Sequence, residues 1–178
     1  MKNILITGGA GFIGSNLALQ LLQKGYTVTV LDNLLPQIHG DNPENTSPLY
    51  QSIKNKVQFI KGDVLHKKDW QQALKNQHIV VHFAAETGTG QSMYEIERYT
   101  NVNVSGTAIF LDYLTNTQHT IEKVIVASSR AVYGEGKYFS EKLQQFFYPK
   151  DRKETDLENG IFELRNPLDE TEFLKVIA

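Results

Sequence analysis

Cysteine is absent from the sequence, which excludes disulfide bonds and thiolate metal ligands. No apolar stretch approaches the roughly 18 residues of a membrane-spanning helix. The opening residues, MKNILIT, lack the apolar region and small-residue cleavage site of a signal peptide. The net charge of -2 gives no electrostatic reason to expect nucleic acid or an anionic membrane as partner. The histidines show no metal-ligand spacing, so we predict no metal site. We expect a cytoplasmic protein.

Short apolar runs alternate with segments of helical spacing through most of the chain. Its 178 residues are enough for a compact domain. The predicted strands are Asn3–Thr7, Thr27–Asp32, Val57–Lys61, His78–Ala84 and Ile121–Ser128, and the predicted helices are Gly11–Lys24, Lys67–Lys75 and most of Ser92–Thr117. We expect a loop at 33–48 and no strand from Tyr138 onward. The alternation predicts an α/β fold with a Rossmann-type doubly wound parallel sheet of about five strands.

A glycine-rich segment lies between the first strand and the first helix. Gly8, Gly11 and Gly14 follow the spacing G-x-x-G-x-x-G, and Phe12 and Ile13 open the helix. The first glycine permits a tight turn, the second lets the backbone approach a pyrophosphate, and the third lets helix and strand pack closely. Free N–H groups at the helix start favour phosphate. An ordinary glycine-rich turn is the alternative, and the strand–turn–helix context argues against it.

Asp32 stands at the end of the second predicted strand. A carboxylate there can accept hydrogen bonds from adenosine ribose hydroxyls and would repel a 2′-phosphate. No Lys or Arg occurs between Lys24 and Lys54 that could bind such a phosphate. These observations predict NAD rather than NADP as cofactor, and the alternative is a solvated aspartate at a strand end.

Several segments resemble the extended short-chain dehydrogenase/reductases, the family that includes NAD-dependent nucleotide-sugar epimerases and dehydratases. They are TGGAGFIG (7–14), VLDNL (30–34), GDV (62–64), HFAA (82–85), NVSGT (103–107) and SSRAVYG (128–134). Residues 85–95 and 127–138 are similar to the dTDP-L-rhamnose 4-epimerase type. Residues 147–163 resemble an insert of that type, which often carries cysteine pairs that this chain lacks.

The resemblance assigns roles to individual positions. It implies that Asp63 and Val64 lie beside the adenine, that Ala84 and Ala85 line the path to the nicotinamide, and that Asn103 supports the cofactor or the catalytic network. The full set of implied cofactor-binding residues is Gly8, Gly11, Phe12, Ile13, Gly14, Asp32, Asn33, Asp63, Val64, Ala84, Ala85 and Asn103.

Three other positions follow from the same resemblance. Ser129 matches the catalytic serine, and Thr87 and Gln91 match substrate-side positions. A purely structural role stays open for some of these residues. Asp63 could be a turn residue and Asn103 a helix-surface amide, and His82 is better explained as a hydrogen-bonded core histidine than as a ligand.

Catalysis in this family needs a Tyr-x-x-x-Lys pair on one helix face, where the lysine lowers the pKa of the tyrosine. The pattern occurs at Tyr138 and Lys142, but it follows Tyr133 too closely. The family pair comes after an acidic segment such as Leu168-Asp169-Glu170, so we expect it beyond Ala178. We therefore expect an N-terminal piece with a dinucleotide-binding domain at 1–136 and an irregular insert at 137–178, leading to an absent catalytic helix and substrate domain.

Three functions remain open at this point. The first is the NAD-binding half of a nucleotide-sugar 4-epimerase, inactive by itself, with a dTDP-sugar as substrate and a homodimer as the full-length form. The second is a dehydratase or decarboxylase of the same family. Those enzymes usually need an acidic residue near the serine, and Arg130 follows Ser129 here. The third is a non-catalytic NAD-binding module, which the missing Tyr-Lys pair favours.

Overall fold

The chain forms two compact units that meet in sequence between Ala127 and Ser128. The structure is a computed structural model, and it describes residues 2–149 and 151–176. The boundary between the units precedes the predicted one at residue 136.

A five-stranded sheet organises the first unit. Its strands are β1 (Asn3–Thr7), β2 (Thr27–Asp32), β3 (Gln58–Lys61), β4 (Ile79–His82) and β5 (Lys123–Val126). They pair in the order β3-β2-β1-β4-β5, and every pairing is parallel. The register aligns Thr7 with Leu31 on one side and with His82 on the other. The predicted Rossmann-type parallel sheet is confirmed, and the carboxyl ends of β1, β2 and β4 share one edge.

Helices cover both faces of this sheet. They are α1 (Phe12–Gln23), α2 (Pro36–His39), α3 (Pro43–Thr46), α4 (Pro48–Ile53), α5 (Lys67–Ala73), α6 (Thr89–Ser92), α7 (Ile96–Thr100), a π-helical turn (Asn101–Ser105) and α8 (Gly106–Asn116). The predicted loop at 33–48 is wrong, because α2 and α3 lie within it and α4 begins at its end. A proline opens each of these helices, where its missing N–H costs nothing and its fixed φ suits the first turn.

The alternation of apolar residues along β1 divides the core between the two faces. Ile4 and Ile6 pack in one cluster with Ala18 of α1, whereas Leu5 packs in the other with Trp70 of α5 and Phe110 of α8. All six side chains are almost completely buried. The glycine loop and the residues after β4 therefore extend from strands that are packed on both faces. Of the helices in the described ranges, none combines the length and apolarity needed to cross a membrane.

The second unit consists of short antiparallel strands. They are β6 (Tyr138–Ser140), β7 (Gln145–Phe147), β8 (Arg165–Asn166), β9 (Asp169–Phe173) and β10 (Lys175–Val176), with a 3-10 turn (Arg130–Tyr133) and α9 (Glu154–Glu158). The expectation of no strand after Tyr138 is wrong. A buried polar cluster supports this unit, since the Ser140 hydroxyl and the Asn166 amide both donate to the Glu172 carboxylate, at 2.7 Å each to Oε2. Strands this short give no periodic signal.

Candidate cofactor-binding site

The glycine loop turns sharply between β1 and α1. Gly8 adopts φ +66°, its N–H donates to the Leu31 carbonyl at 2.9 Å, and its carbonyl accepts from the Gly11 N–H at 3.2 Å. Helix α1 then begins at Phe12 without a side-chain cap. Its first-turn N–H groups are consequently left for another acceptor, and the positive end of the helix dipole favours an anion there. The side chains of Phe12 and Ile13 are exposed.

The three glycines of the motif have different neighbours. A Cβ on Gly8 would lie 2.7 Å from the Ala84 nitrogen, and one on Gly14 would lie 2.5 Å from the Gly8 carbonyl oxygen. A Cβ on Gly11 would meet only that oxygen, at 3.3 Å. Gly8 and Gly14 are thus required by the packing of the chain itself, whereas Gly11 presents open backbone. Gly9, which the sequence analysis did not single out, is required as well, because its Cβ would lie 2.7 Å from Val30.

Asp32 is buried at the carboxyl end of β2 and connects that strand to the glycine loop. Its Oδ2 accepts from the Ala10 N–H at 2.9 Å, and its Oδ1 accepts from the Leu34 N–H at 2.8 Å. Each carboxylate oxygen can accept more than one hydrogen bond, so acceptor capacity remains for ribose hydroxyls. The side chain has a structural task in addition to the predicted one.

His39 is a residue of this region that the sequence analysis missed. It ends α2 and is buried, with Nε2 3.9 Å from Asp32 Oδ1 and Nδ1 2.8 Å from the Ser47 hydroxyl. The proline at position 36 was the available signal, since a helix starting there carries residue 39 back toward the end of β2.

Asn33, Asp63 and Val64 come together where β2 and β3 end. The Asn33 amide donates to Asp63 Oδ2 at 3.2 Å, and Asp63 Oδ1 accepts from the Leu65 N–H at 2.9 Å. Val64 differs, because its side chain is buried against Gly106 and its carbonyl accepts from the Trp70 indole at 2.7 Å. Asn33 and Asp63 therefore offer exposed polar atoms, while Val64 supports them from the core.

The segment after β4 is fixed by Asn103, which lies in the π-helical turn. The Asn103 side chain accepts from the Glu86 N–H at 2.8 Å and donates to the Glu86 carbonyl at 3.1 Å. Ala84 donates its N–H to the Thr7 hydroxyl at 3.2 Å, and Ala85 is exposed. Asn103 is thus not a free surface amide, and it orders the residues that follow β4.

The two predicted substrate-side residues differ in their surroundings. Thr87 is exposed. Gln91 Oε1 accepts from the Tyr99 hydroxyl at 3.1 Å and from Gln37 at 2.7 Å, and its Nε2 donates to Glu95 at 2.7 Å. The Gln91 side chain therefore makes its hydrogen bonds to neighbouring residues of the chain, whereas the Thr87 side chain is exposed to solvent.

The predicted catalytic residue lies in the second unit. Ser129 precedes the 3-10 turn, and its exposed hydroxyl accepts from the Ala131 N–H at 3.1 Å. Tyr138 lies in β6 and Lys142 in the following turn, where Lys142 pairs with Asp169, which raises the pKa of the lysine. Tyr138 and Lys142 do not share a helix face. Within the described ranges, no three His, Asp or Glu side chains gather as a potential metal site.

A family model, that of the NAD dependent epimerase/dehydratase family, matches residues 4–152. The chain is 37% identical over 159 residues to a dTDP-L-rhamnose 4-epimerase from Burkholderia thailandensis, covering 88% of this chain and 42% of that protein. It is 33% identical over 142 residues to a UDP-glucose 4-epimerase from Mus musculus, covering 78% and 40%.

Solved structures of nucleotide-sugar 4-epimerases are also similar to this chain. The UDP-glucuronic acid 4-epimerase of Bacillus cereus superposes with a TM-score of 0.65 at 29% identity, covering 82% of this chain and 46% of that one. The UDP-glucose 4-epimerase of Bifidobacterium longum, solved with NAD+ and UDP, gives 0.60 at 31% identity, covering 75% and 38%. The chain spans about two fifths of the length of the curated relatives it matches. The resemblance to this family and NAD as the cofactor, both predicted from the sequence, are confirmed. The chain belongs to the NAD dependent epimerase/dehydratase family.

Proposed function

We propose that this chain binds NAD at the glycine loop and forms the NAD-binding part of a nucleotide-sugar 4-epimerase. One observation carries the proposal. Gly8 and Gly14 have no room for a side chain, while Gly11 and the uncapped start of α1 leave backbone open for a ligand. This arrangement suits a pyrophosphate, because N–H groups and the helix dipole both favour negative charge at that place.

The remaining residues of the site would hold the other parts of the cofactor. Asp32 accepts hydrogen bonds from the adenosine ribose, and Asn33 and Asp63 present polar atoms toward the adenine. Ala84 and Ala85 line the path to the nicotinamide, supported by Asn103. When bound, NAD supplies a hydride acceptor that can take hydride from the sugar and return it to the opposite face. The resemblance assigns the ordering of the reacting hydroxyl to Ser129.

A second candidate function, an NAD-binding module without catalysis, is favoured by the placement of Tyr138 and Lys142. A strand residue and a turn lysine that already pairs with Asp169 do not form the tyrosine–lysine base of the family.

The names of the relatives support a nucleotide sugar as substrate of the longer enzyme, and we propose a dTDP-sugar. The homodimer and the cytoplasmic location stay predictions.

Isothermal titration calorimetry with NAD and NADP tests the proposal. We expect saturable binding of NAD, and NADP binding weaker by about tenfold or more, because the Asp32 carboxylate repels a 2′-phosphate. Absence of NAD binding by the folded chain would reject the proposed function. Equal affinity for NADP would reject the role of Asp32.

A further inference from the structure

His82 connects the two backbone segments that flank the proposed NAD site. It is the last residue of β4, paired in register with Thr7 of β1, and it is only 4% exposed. Its Nδ1 lies 2.7 Å from the Thr7 hydroxyl, and its Nε2 lies 3.1 Å from the Thr107 hydroxyl of α8. Both ring nitrogens therefore have partners, and the direction of each hydrogen bond can be worked out.

The Thr107 hydroxyl determines the tautomer. It donates its single hydrogen to the Asn103 carbonyl at 2.9 Å, so it can only accept from His82. Nε2 of His82 then carries the hydrogen, and Nδ1 accepts from the Thr7 hydroxyl, which in turn accepts from the Ala84 N–H. The opposite tautomer would leave the hydrogen of the buried Thr7 hydroxyl without an acceptor among the described residues. Burial lowers the pKa of His82 to about 4, so the ring is neutral at pH 7.

Both ends of this chain of hydrogen bonds reach the segment after β4. One end is the Ala84 N–H, and Ala84 also packs against Gly8, where a Cβ would approach its nitrogen to 2.7 Å. The other end is Asn103, whose side chain holds Glu86 through both its N–H and its carbonyl. Residues 84–86 are consequently fixed from two sides, in contact with the first glycine of the loop.

We propose that His82, as its Nε2–H tautomer, is a positioning residue for NAD binding that acts through Thr7 and Thr107 on the glycine loop and on residues 84–86. The inference rests on the proposed function, since it assigns His82 a task in that same site. The alternative is a histidine that only fills the core, for which its ring contacts with Trp70 and Phe110, at 5.5 and 5.9 Å between centroids, would suffice.

Thr107 offers the sharper variant because it touches His82 without belonging to the cofactor surface. Thr107→Val removes the hydroxyl and keeps the shape of the side chain, whereas Thr107→Ser keeps the hydroxyl. Thr115→Val is a matched control, since the Thr115 hydroxyl makes the same kind of bond within α8, to the Leu111 carbonyl at 3.0 Å, far along the helix from His82. NAD affinity is measured by calorimetry at a temperature where each variant is folded.

We expect Thr107→Val to bind NAD about fivefold more weakly or worse, the loss expected when one neutral hydrogen bond disappears. Thr107→Ser should restore most of the affinity, and Thr115→Val should bind as the native chain does. If Thr107→Val does not fold, Thr107→Ala replaces it. Native affinity in a folded variant that lacks the hydroxyl would overturn the proposal, because a purely structural residue would change the melting temperature alone.

Long-range proton–nitrogen NMR of the ring provides a second test that needs no cofactor. We expect His82 to carry hydrogen on Nε2 only, and a spectrum showing hydrogen on Nδ1 would overturn the proposal. The two failures are distinguishable. Absence of NAD binding to the native chain would reject the proposed function, whereas native NAD binding with unchanged affinity in the valine variant would reject only the role of His82.

Discussion

Alanine substitutions at Gly14 and at Gly11 should distinguish a glycine that the fold requires from one that cofactor binding requires. A Cβ on Gly14 would lie 2.5 Å from the Gly8 carbonyl oxygen and 2.6 Å from Gly9 Cα, and both atoms are backbone that cannot rotate away. Overpacking of this kind costs about 1–3 kcal/mol, and the backbone contacts place Gly14→Ala at the upper end. The gain in helix propensity of about 1 kcal/mol offsets only part of this. We expect a net loss near 2 kcal/mol, or about 4–8 °C in melting temperature.

Gly11→Ala should behave in the opposite way. Its Cβ would meet only the Gly8 carbonyl oxygen, at 3.3 Å, a contact that a shift of a few tenths of an ångström relieves, so the melting temperature should fall less than in Gly14→Ala. The added methyl group would occupy the surface where the pyrophosphate must approach, and NAD affinity should fall at least about tenfold, which corresponds to about 1.4 kcal/mol. Gly90→Ala is the control, because its Cβ would meet nothing within 4 Å. Circular dichroism melting and calorimetry provide the two readings. Native NAD affinity in Gly11→Ala, or a native melting temperature in Gly14→Ala, would refute the reasoning.

Three further predictions follow from the same geometry. Asp32→Asn should lower the free energy of unfolding by about 1–3 kcal/mol in urea titrations, because a buried backbone N–H loses its acceptor. Asp41→Asn, at an exposed position, should leave the free energy of unfolding unchanged, and equal effects of the two substitutions would contradict this. Because burial lowers the pKa of His82 from 6.5 in the unfolded chain to about 4 in the folded chain, the native chain should lose about 1.5 kcal/mol of stability as the pH falls from 6.5 to 5. His82→Asn should lose less, and parallel stability curves for the two chains would contradict this. The chain with NAD and dTDP-L-rhamnose should form no 4-epimer by NMR, and turnover abolished by Tyr138→Phe would show that Tyr138 acts as a base after all.

Local patterns in the sequence were enough to predict the sheet and the tight turn of the glycine loop. Apolar residues along β1 and β2 predict buried strands because their spacing is local. The glycine spacing predicts the tight turn, but the close approach of Gly8 to Ala84 joins segments that only the fold brings together. Asp32 was predictable as a strand-end carboxylate. Its hydrogen bond to the Ala10 N–H was not, because that contact joins two segments that only the fold brings together.

The missed features have different physical causes. His39 approaches Asp32 from only seven residues away, because a short helix opened by Pro36 lies where the sequence predicted a loop. Asn103 holds Glu86 across 17 residues, a contact that no periodicity encodes. The strands of the second unit were missed for another reason. They are two to five residues long, so an alternation that would indicate a strand is too short to recognise.

NMR titration of the nitrogen-15-labelled native chain with NAD tests the central claim, binding at the glycine loop, most directly. We predict saturable shifts of the amides at 8–14, at Asp32 and Asn33, and at 84–86. Gln58 and Gln77, which line a polar cavity at the amino ends of the strands, should not shift. Shifts centred on that cavity, or no saturable shifts at all in the folded chain, would contradict the account.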